Sequence, residues 1–202
     1  GRTVMNARPT ASLSQGELIR AMVGSELQSI YHREGAALPP AGGEPALEVR
    51  SLRSAPLVRD VSFAVRKGEI LGLGGLVGAG RSETIEAIFG LRKRDGGTVM
   101  LEGRPLPADR PDKAMRAGLG FVAEDRRSQN IVPDFSVREN LLLAHLGAHR
   151  GFFCNYRARD KQVSRLLASL GLPEERLMDA SMLNFSGGMQ QKVIIARWLL
   201  LE

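Results

Sequence analysis

The sequence is short of the residues that staple or anchor a protein. Its single cysteine, Cys154, leaves no partner for a disulfide within the 202-residue chain. Such usage suits a reducing compartment. No run of 18 apolar residues occurs, which excludes a helix spanning a bilayer. The N-terminus lacks the basic-then-apolar order of a secretory signal. Aromatic residues make up only 5% of the chain. The basic–aromatic interleaving that grips single-stranded nucleic acid is absent.

What remains is an ordinary globular composition, 43% hydrophobic and 25% charged. The length fits one domain with an appendage, or two small domains. With 28 Lys and Arg against 22 Asp and Glu, the net charge is +6. A basic balance invites nucleic acid, a membrane surface or phosphorylated ligands. Charge alone favours the plainer alternative, a mildly cationic surface. The chain opens Gly1-Arg2-Thr3 and stops at Leu201-Glu202 inside an apolar helical pattern. We therefore expect a piece of something longer.

Ser14 followed by Glu17 forms a capping box, and Leu18, Ile19, Met22 and Val23 recur at helical spacing. This predicts a helix over 15–23, broken at Gly24. A Gly-, Ala- and Pro-rich stretch within 31–46 reads as a linker. Patterning then restarts. Alternation predicts strands at 47–49 and 61–65, with a further strand at 98–102. The apolar runs Ile70–Leu73 and Leu119–Ala123 read as strands buried on both faces. Helices are expected over 82–91, with Ile85, Ile88 and Phe89 inward, and over 113–117. A second capping box, Ser136 with Glu139, opens a helix through about Ala144. Residues 158–170 put Val163, Leu166, Leu167 and Leu170 on one face. Residues 188–200 are apolar on most sides, with Trp198 in the core. The order of elements indicates an α/β core carrying an inserted helical subdomain.

Between a buried strand and a helix lies Gly75-Leu76-Val77-Gly78-Ala79-Gly80-Arg81-Ser82-Glu83. It matches the G-x-x-x-x-G-K-[ST] phosphate loop, except that Arg81 replaces lysine. Glycines let the backbone curl until successive N–H groups face one hollow. The following helix adds its positive end. Arg81 keeps the charge in a bulkier, planar shape, and the Ser82 hydroxyl is of the type that ligates Mg²⁺. Downstream, Phe185-Ser186-Gly187-Gly188-Met189-Gln190-Gln191-Lys192-Val193 runs into Ile194-Ile195-Ala196-Arg197. Ser186 also reads as a plain N-cap.

This second motif, about a hundred residues after the first, resembles the signature of ABC-type ATPases, usually L-S-G-G-Q followed by Q-[QR]-[KR]-V. Gly75 to Glu83 resembles the degenerate second phosphate loop of monosaccharide-importer ATPases, of the ribose, galactose and xylose type, which carry two ABC domains per chain. Ala123-Glu124-Asp125-Arg126-Arg127 resembles their replacement for the Q-loop, with Glu124 in place of Gln. Ser136-Val137 with Asn140-Leu141 is similar to their S-V-x-E-N stretch. Residues 2–23 resemble the close of a first ABC domain.

The resemblance implies a P-loop NTPase core of ABC type, with an antiparallel β subdomain and a helical subdomain at about 124–185, incomplete at its C-terminus. Residues 1–30 would be the tail of a preceding ABC domain, and 47–202 the front of a second. ATP would sit on Gly75, Val77, Gly78, Ala79, Gly80, Arg81, Ser82 and Glu83. Ser186, Gly187 and Gly188 would face nucleotide held by another ABC domain. Mg²⁺ would lie at Ser82 and Glu124. Implied partners are that second domain, a membrane permease and, indirectly, a periplasmic sugar-binding protein; the place is the cytoplasmic face of the plasma membrane.

Some family features are not found. The family's adenine-stacking aromatic has no counterpart around Leu52 to Pro56. Its strand ending in Asp and Glu, and its switch histidine, follow the signature, whereas His32, His145 and His149 precede it. No catalytic residue is assigned, and no ATP turnover is expected of the chain by itself. Two rival readings are a DNA-associated ABC ATPase and a non-hydrolysing dimerisation module. The basic balance and Arg126-Arg127 would serve the first; against it, Arg92-Lys93-Arg94 is a short run on a solvated face, and no nucleic acid is expected.

Overall fold

The computed structural model describes residues 5–9, 12–23, 43–148, 156–172 and 179–201. Two compact units divide the chain, Gly1–Ala41 and Gly42–Glu202. Most of the expected linker, with His32, His149 and Cys154, lies outside the described residues.

In the first unit, helix α1 spans Gln15–Val23. Its start is set by the capping box read from the sequence. The Ser14 amide donates to Glu17 Oε2 at 2.9 Å, and the Glu17 amide donates to Ser14 Oγ at 3.3 Å. These bonds hold the Glu17 carboxyl below its ordinary range.

The second unit opens with a four-stranded antiparallel sheet in the order β2-β1-β3-β4. The strands are β1 (Leu47–Ser54), β2 (Val58–Val65), β3 (Gly96–Leu101) and β4 (Arg104–Pro105). β1 runs five residues beyond the predicted 47–49. The cause is an irregularity between Val49 and Leu52, where Ser51 adopts φ 45° and its amide donates to Ser62 Oγ. One residue is absorbed, so Val49, Leu52 and Ser54 all turn inward. A strict period of two cannot describe such a strand.

Helix α2 (Arg81–Phe89) packs on this sheet, burying Ala87, Ile88 and Phe89 with Val49, Leu52, Val58 and Val99. Ile85, expected inward, is 38% exposed. Arg94, expected on a solvated run, is partly buried instead. Its guanidinium donates to the carbonyls of Ala87, Ile88 and Leu106, closing the end of α2. Arg92 binds Glu86 of the same helix. Helix α3 (Pro111–Arg116) starts two residues earlier than predicted, with Pro at its first turn.

The two predicted buried strands do not form. Ile70–Leu73 and Leu119–Ala123 make no ladder among the described residues, and Ile70 is 84% exposed. Apolar composition makes a segment buryable, but a strand exists only through a hydrogen-bonded neighbour. Both segments line an apolar cleft of about 240 Å³, alongside Ile88 and Phe89.

The remaining helices are α4 (Arg126–Gln129), α5 (Val137–Ala148), α6 (Tyr156–Ser169), a 3₁₀ turn at Met182–Asn184, and α7 (Gly187–Leu199). Val137, Leu141, Val163, Leu167, Met182 and Ile194 form their core. The Ser136–Glu139 capping box starts α5, as read from the sequence. Helix α7 also reaches the sheet core. Trp198 lies edge-on to Phe89, with ring centroids 5.8 Å apart, and Phe89 stacks on Phe121 at 5.2 Å. Gly120 makes room, since a Cβ there would stand 3.0 Å from Trp198 Cβ.

Asn140, fully buried on α5, organises the turn before it. Its Nδ2 donates to the carbonyls of Val132, Phe135 and Ser136, and its Oδ1 accepts from the Val132 amide. Asn140→Ala orphans several backbone groups at once and is expected to cost about 3 kcal/mol, since each buried orphan costs ~1–3. Chemical denaturation should show a lower midpoint at unchanged slope. A loss below about 1 kcal/mol would mean that the turn stands without it. Gly120→Ala should cost ~1–3 kcal/mol by overpacking against Trp198, read in the same titration.

Candidate functional site

The loop before α2 has the shape its glycines permit. Gly78 and Gly80 take φ of 81° and 83°, a region where a side chain would be strained. The Ala79 amide closes a turn onto the Leu76 carbonyl at 3.1 Å. Leu76 and Val77 project outward at 85% and 99% exposure. Gly75 lies under Ala79 and Arg81: a Cβ on it would stand 3.0 Å from Ala79 Cβ and 3.6 Å from Arg81 Cδ. The stem of Arg81 thus folds back over the first glycine of the loop.

Gly80 is the N-cap of α2, and no side chain caps it. The first intrahelical bond is Thr84 N–H to Gly80 C=O, so the N–H groups of Arg81, Ser82 and Glu83 keep no helical acceptor. Thr84 Oγ1 also donates to the Gly80 carbonyl, at 2.6 Å. Glu83 stands in the first turn, where its charge suits the helix dipole. Leu57 packs its backbone and Cβ against Gly80.

Beside this helix start opens a cavity of about 590 Å³, lined by Arg81, Ser82, Glu86, Glu124, Asp125 and Gln129 among others. Across it the Ser82 hydroxyl donates to Glu124 Oε2 at 2.7 Å. Two residues that the sequence reading assigned to one ion, 42 positions apart, therefore meet. Both supply hard oxygen ligands. Among the described residues no group of three or more His, Cys, Asp or Glu is placed to hold a metal. A hydroxyl, one carboxylate and remaining open positions fit Mg²⁺, which keeps waters and takes phosphate oxygens. The free N–H groups of α2 and the adjoining cavity fit the phosphates of a nucleotide.

Glu124 is held from behind by a residue the sequence reading did not single out. Asn130, 5% exposed, accepts from the Ala123 amide at 3.2 Å and donates to the carbonyls of Ala123 and Asp125. Asp125 in turn caps α4, accepting from the amides of Arg127 and Ser128. Hydrogen bonds from Ser128, and then Arg127, hold its carboxyl below the ordinary range.

Ser186 caps α7, accepting from the Met189 amide at 3.4 Å. Gly187 and Gly188 form the first turn, and a Cβ on Gly188 would meet nothing within 4 Å. Gln190, 2% exposed, fixes this corner by donating to the carbonyls of Met182 and Phe185. Ser186, Gly187 and Gly188 do not line the cavity beside Arg81 and Ser82. The sequence reading missed Leu57, Asn130 and the clamping role of Gln190. Each acts through backbone groups remote in sequence, which leaves no periodic signal.

Comparison with known proteins bears on these features together. The family model for ABC transporters matches residues 58–202. A ribose import ATP-binding protein of Rubrobacter xylanophilus is 45% identical over 202 residues, 99% of this chain. One from Lactococcus lactis subsp. cremoris is 36% identical over 97% of the chain. The chain spans 39% of the length of each of these relatives. Among solved structures, an ATP-binding subunit of an ABC transporter is 31% identical with a TM-score of 0.60, over 77% of this chain and 62% of its own. A bacterial ABC transporter cassette solved as a dimer, 24% identical, shares the fold at a TM-score of 0.60, over 76% of this chain and 69% of its own. The model match and the relatives cover the loop at Gly75–Ser82, the Ser82–Glu124 contact and the capped turn at Ser186: the chain belongs to the ABC transporter family and has its P-loop, α/β fold.

Proposed function

We propose that this chain is the nucleotide-binding part of a sugar importer's ATP-binding subunit, holding ATP and Mg²⁺ at the Gly75–Glu83 loop. The observation that carries the reading is the 2.7 Å contact between Ser82 and Glu124 beside an uncapped helix start. In this reading Gly75, Val77, Gly78 and Gly80 wrap the phosphates with backbone N–H groups, Ala79 closes the turn that shapes the loop, and Glu83 completes the first turn. Arg81 swings from Gly75 onto the phosphate oxygens. Ser82 and Glu124 hold the metal. Bound Mg²⁺ would neutralise charge on the β- and γ-phosphates.

The turn at Ser186, Gly187 and Gly188, at the start of α7, lies outside this cavity. It serves ATP held by a second ABC domain, in the same full-length chain or another copy. The helical region, about 124–185, docks a membrane permease, supplied in turn by a periplasmic sugar-binding protein. The names of the relatives, ribose import ATP-binding proteins, support sugar as the cargo class. Among the described residues no helix is long and apolar enough to cross a membrane. By its likeness to those import proteins, we place the subunit peripherally, at the cytoplasmic face of the plasma membrane. Residues 1–30 belong to the end of a preceding ABC domain, 31–46 to a linker and 47–202 to the second domain.

Calorimetry tests the reading. The chain should bind Mg·ATP, and Arg81→Ala should weaken binding about tenfold, the lower range of a charge-assisted contact at ~1.5 kcal/mol. Absence of binding by the unmodified chain overturns the reading. Equal binding by the variant removes Arg81 from it. Glu124→Gln keeps the shape but loses the charge. It should shrink the gain in ATP affinity on adding Mg²⁺ about tenfold, with metal-free ATP binding unchanged. An undiminished gain would exclude Glu124 as a metal ligand.

A further inference from the structure

Glu124 is exposed and sits between two residues whose backbones are gripped by one buried side chain. The Asn130 carboxamide imitates a strand partner for Ala123, taking its N–H and giving to its C=O, and reaches past Glu124 to the Asp125 carbonyl at 3.3 Å. A planar amide with one acceptor and two donors can satisfy all three groups, and hydroxyl or carboxylate side chains cannot. The backbone of Glu124 is thereby fixed on both sides while its side chain stays free to meet Ser82.

Asn130 is itself held. Its carbonyl accepts from Arg197 Nη2 at 2.7 Å, and Arg197 Nε donates to the Asn140 carbonyl at 2.7 Å. Arg197 lies on α7, the helix that begins at the Ser186–Gly188 turn. One chain of bonds therefore runs from α7 through Asn130 to the residues on either side of Glu124, which faces Ser82.

We propose that Asn130 is the positioning residue of the metal site: it presents Glu124 to Ser82, and Arg197 sets Asn130 in register with α7. The inference rests on the reading of Glu124 as a metal ligand. It adds that the metal site by the phosphate loop and the turn at Ser186 share one frame, so a displacement of α7 is felt at Glu124.

The test compares Asn130→Ala and Asn130→Asp in the full 202-residue chain. Aspartate fills the same space but turns an oxygen toward the carbonyls of Ala123 and Asp125, so a mere packing role would survive in it. Two quantities are read. One is hydrogen–deuterium exchange over 121–126 without nucleotide. The other is the ratio of ATP affinities with and without Mg²⁺. In Asn130→Asp we expect exchange over 121–126 to rise at least tenfold, and the Mg²⁺ gain to fall to that of Glu124→Gln. Metal-free ATP affinity should stay within about twofold. Asn130→Ala should behave alike if it folds. Wild-type exchange and Mg²⁺ gain in Asn130→Asp overturn the proposal. Raised exchange with an unmodified chain whose ATP binding ignores Mg²⁺ supports the clamp and overturns the metal reading beneath it.

Discussion

An arginine that is 7% exposed must surround its guanidinium with acceptors, because a buried cation without them is too costly to keep. Among the described residues Arg197 has no carboxylate acceptor. It uses the carbonyls of Asn130 and Asn140 and the Asn140 side-chain oxygen. Burial draws its pKa down to about 10, so it stays charged at neutral pH. The interaction fixes three segments against one another: α7, the start of α5, and the loop that leaves α4. Both asparagines use their side chains on the backbone of a neighbouring loop while their own carbonyls feed Arg197. Remove the cation and two loops lose their common anchor.

Helix α7 makes this arrangement more than local. Val193, Ile194, Ala196 and Leu200 seal the helical core, and Trp198 enters the sheet core beside Phe89. The same helix begins at the Ser186 cap. The aromatic contact leads to α2, whose first turn carries Arg81 and Ser82. Two rigid routes, one polar and one apolar, thus join the start of α7 to opposite sides of the cavity.

The sequence made some of this legible. Both capping boxes, the helical faces of α6 and α7 and the phosphate-loop spacing rest on local rules with a fixed period, and the chain obeys them. Other features follow rules that a single window cannot see. The bulge at Ser51 resets the alternation of β1. Arg94 reads as one of three exposed charges, yet it closes the end of α2. Ile70–Leu73 has strand composition, but pairing is decided elsewhere in the fold. The clamps at Asn130 and Asn140 span seven and eight residues to their loops, and Arg197 reaches back 57 and 67. Side chains that serve backbone at such distances leave no pattern in the sequence. Ser82 follows from the phosphate-loop spacing and Glu124 from resemblance to a family, and the structure brings them into contact.

Trp198 is the sole tryptophan of the chain. It is wedged against Phe89 and over Gly120, two residues on either side of the apolar cleft, and it rides on the helix that Arg197 anchors. Its indole is therefore a built-in optical probe. Emission from one defined position reports the seating of α7 against the phosphate-loop helix, with no label added and no second fluorophore of its kind to subtract.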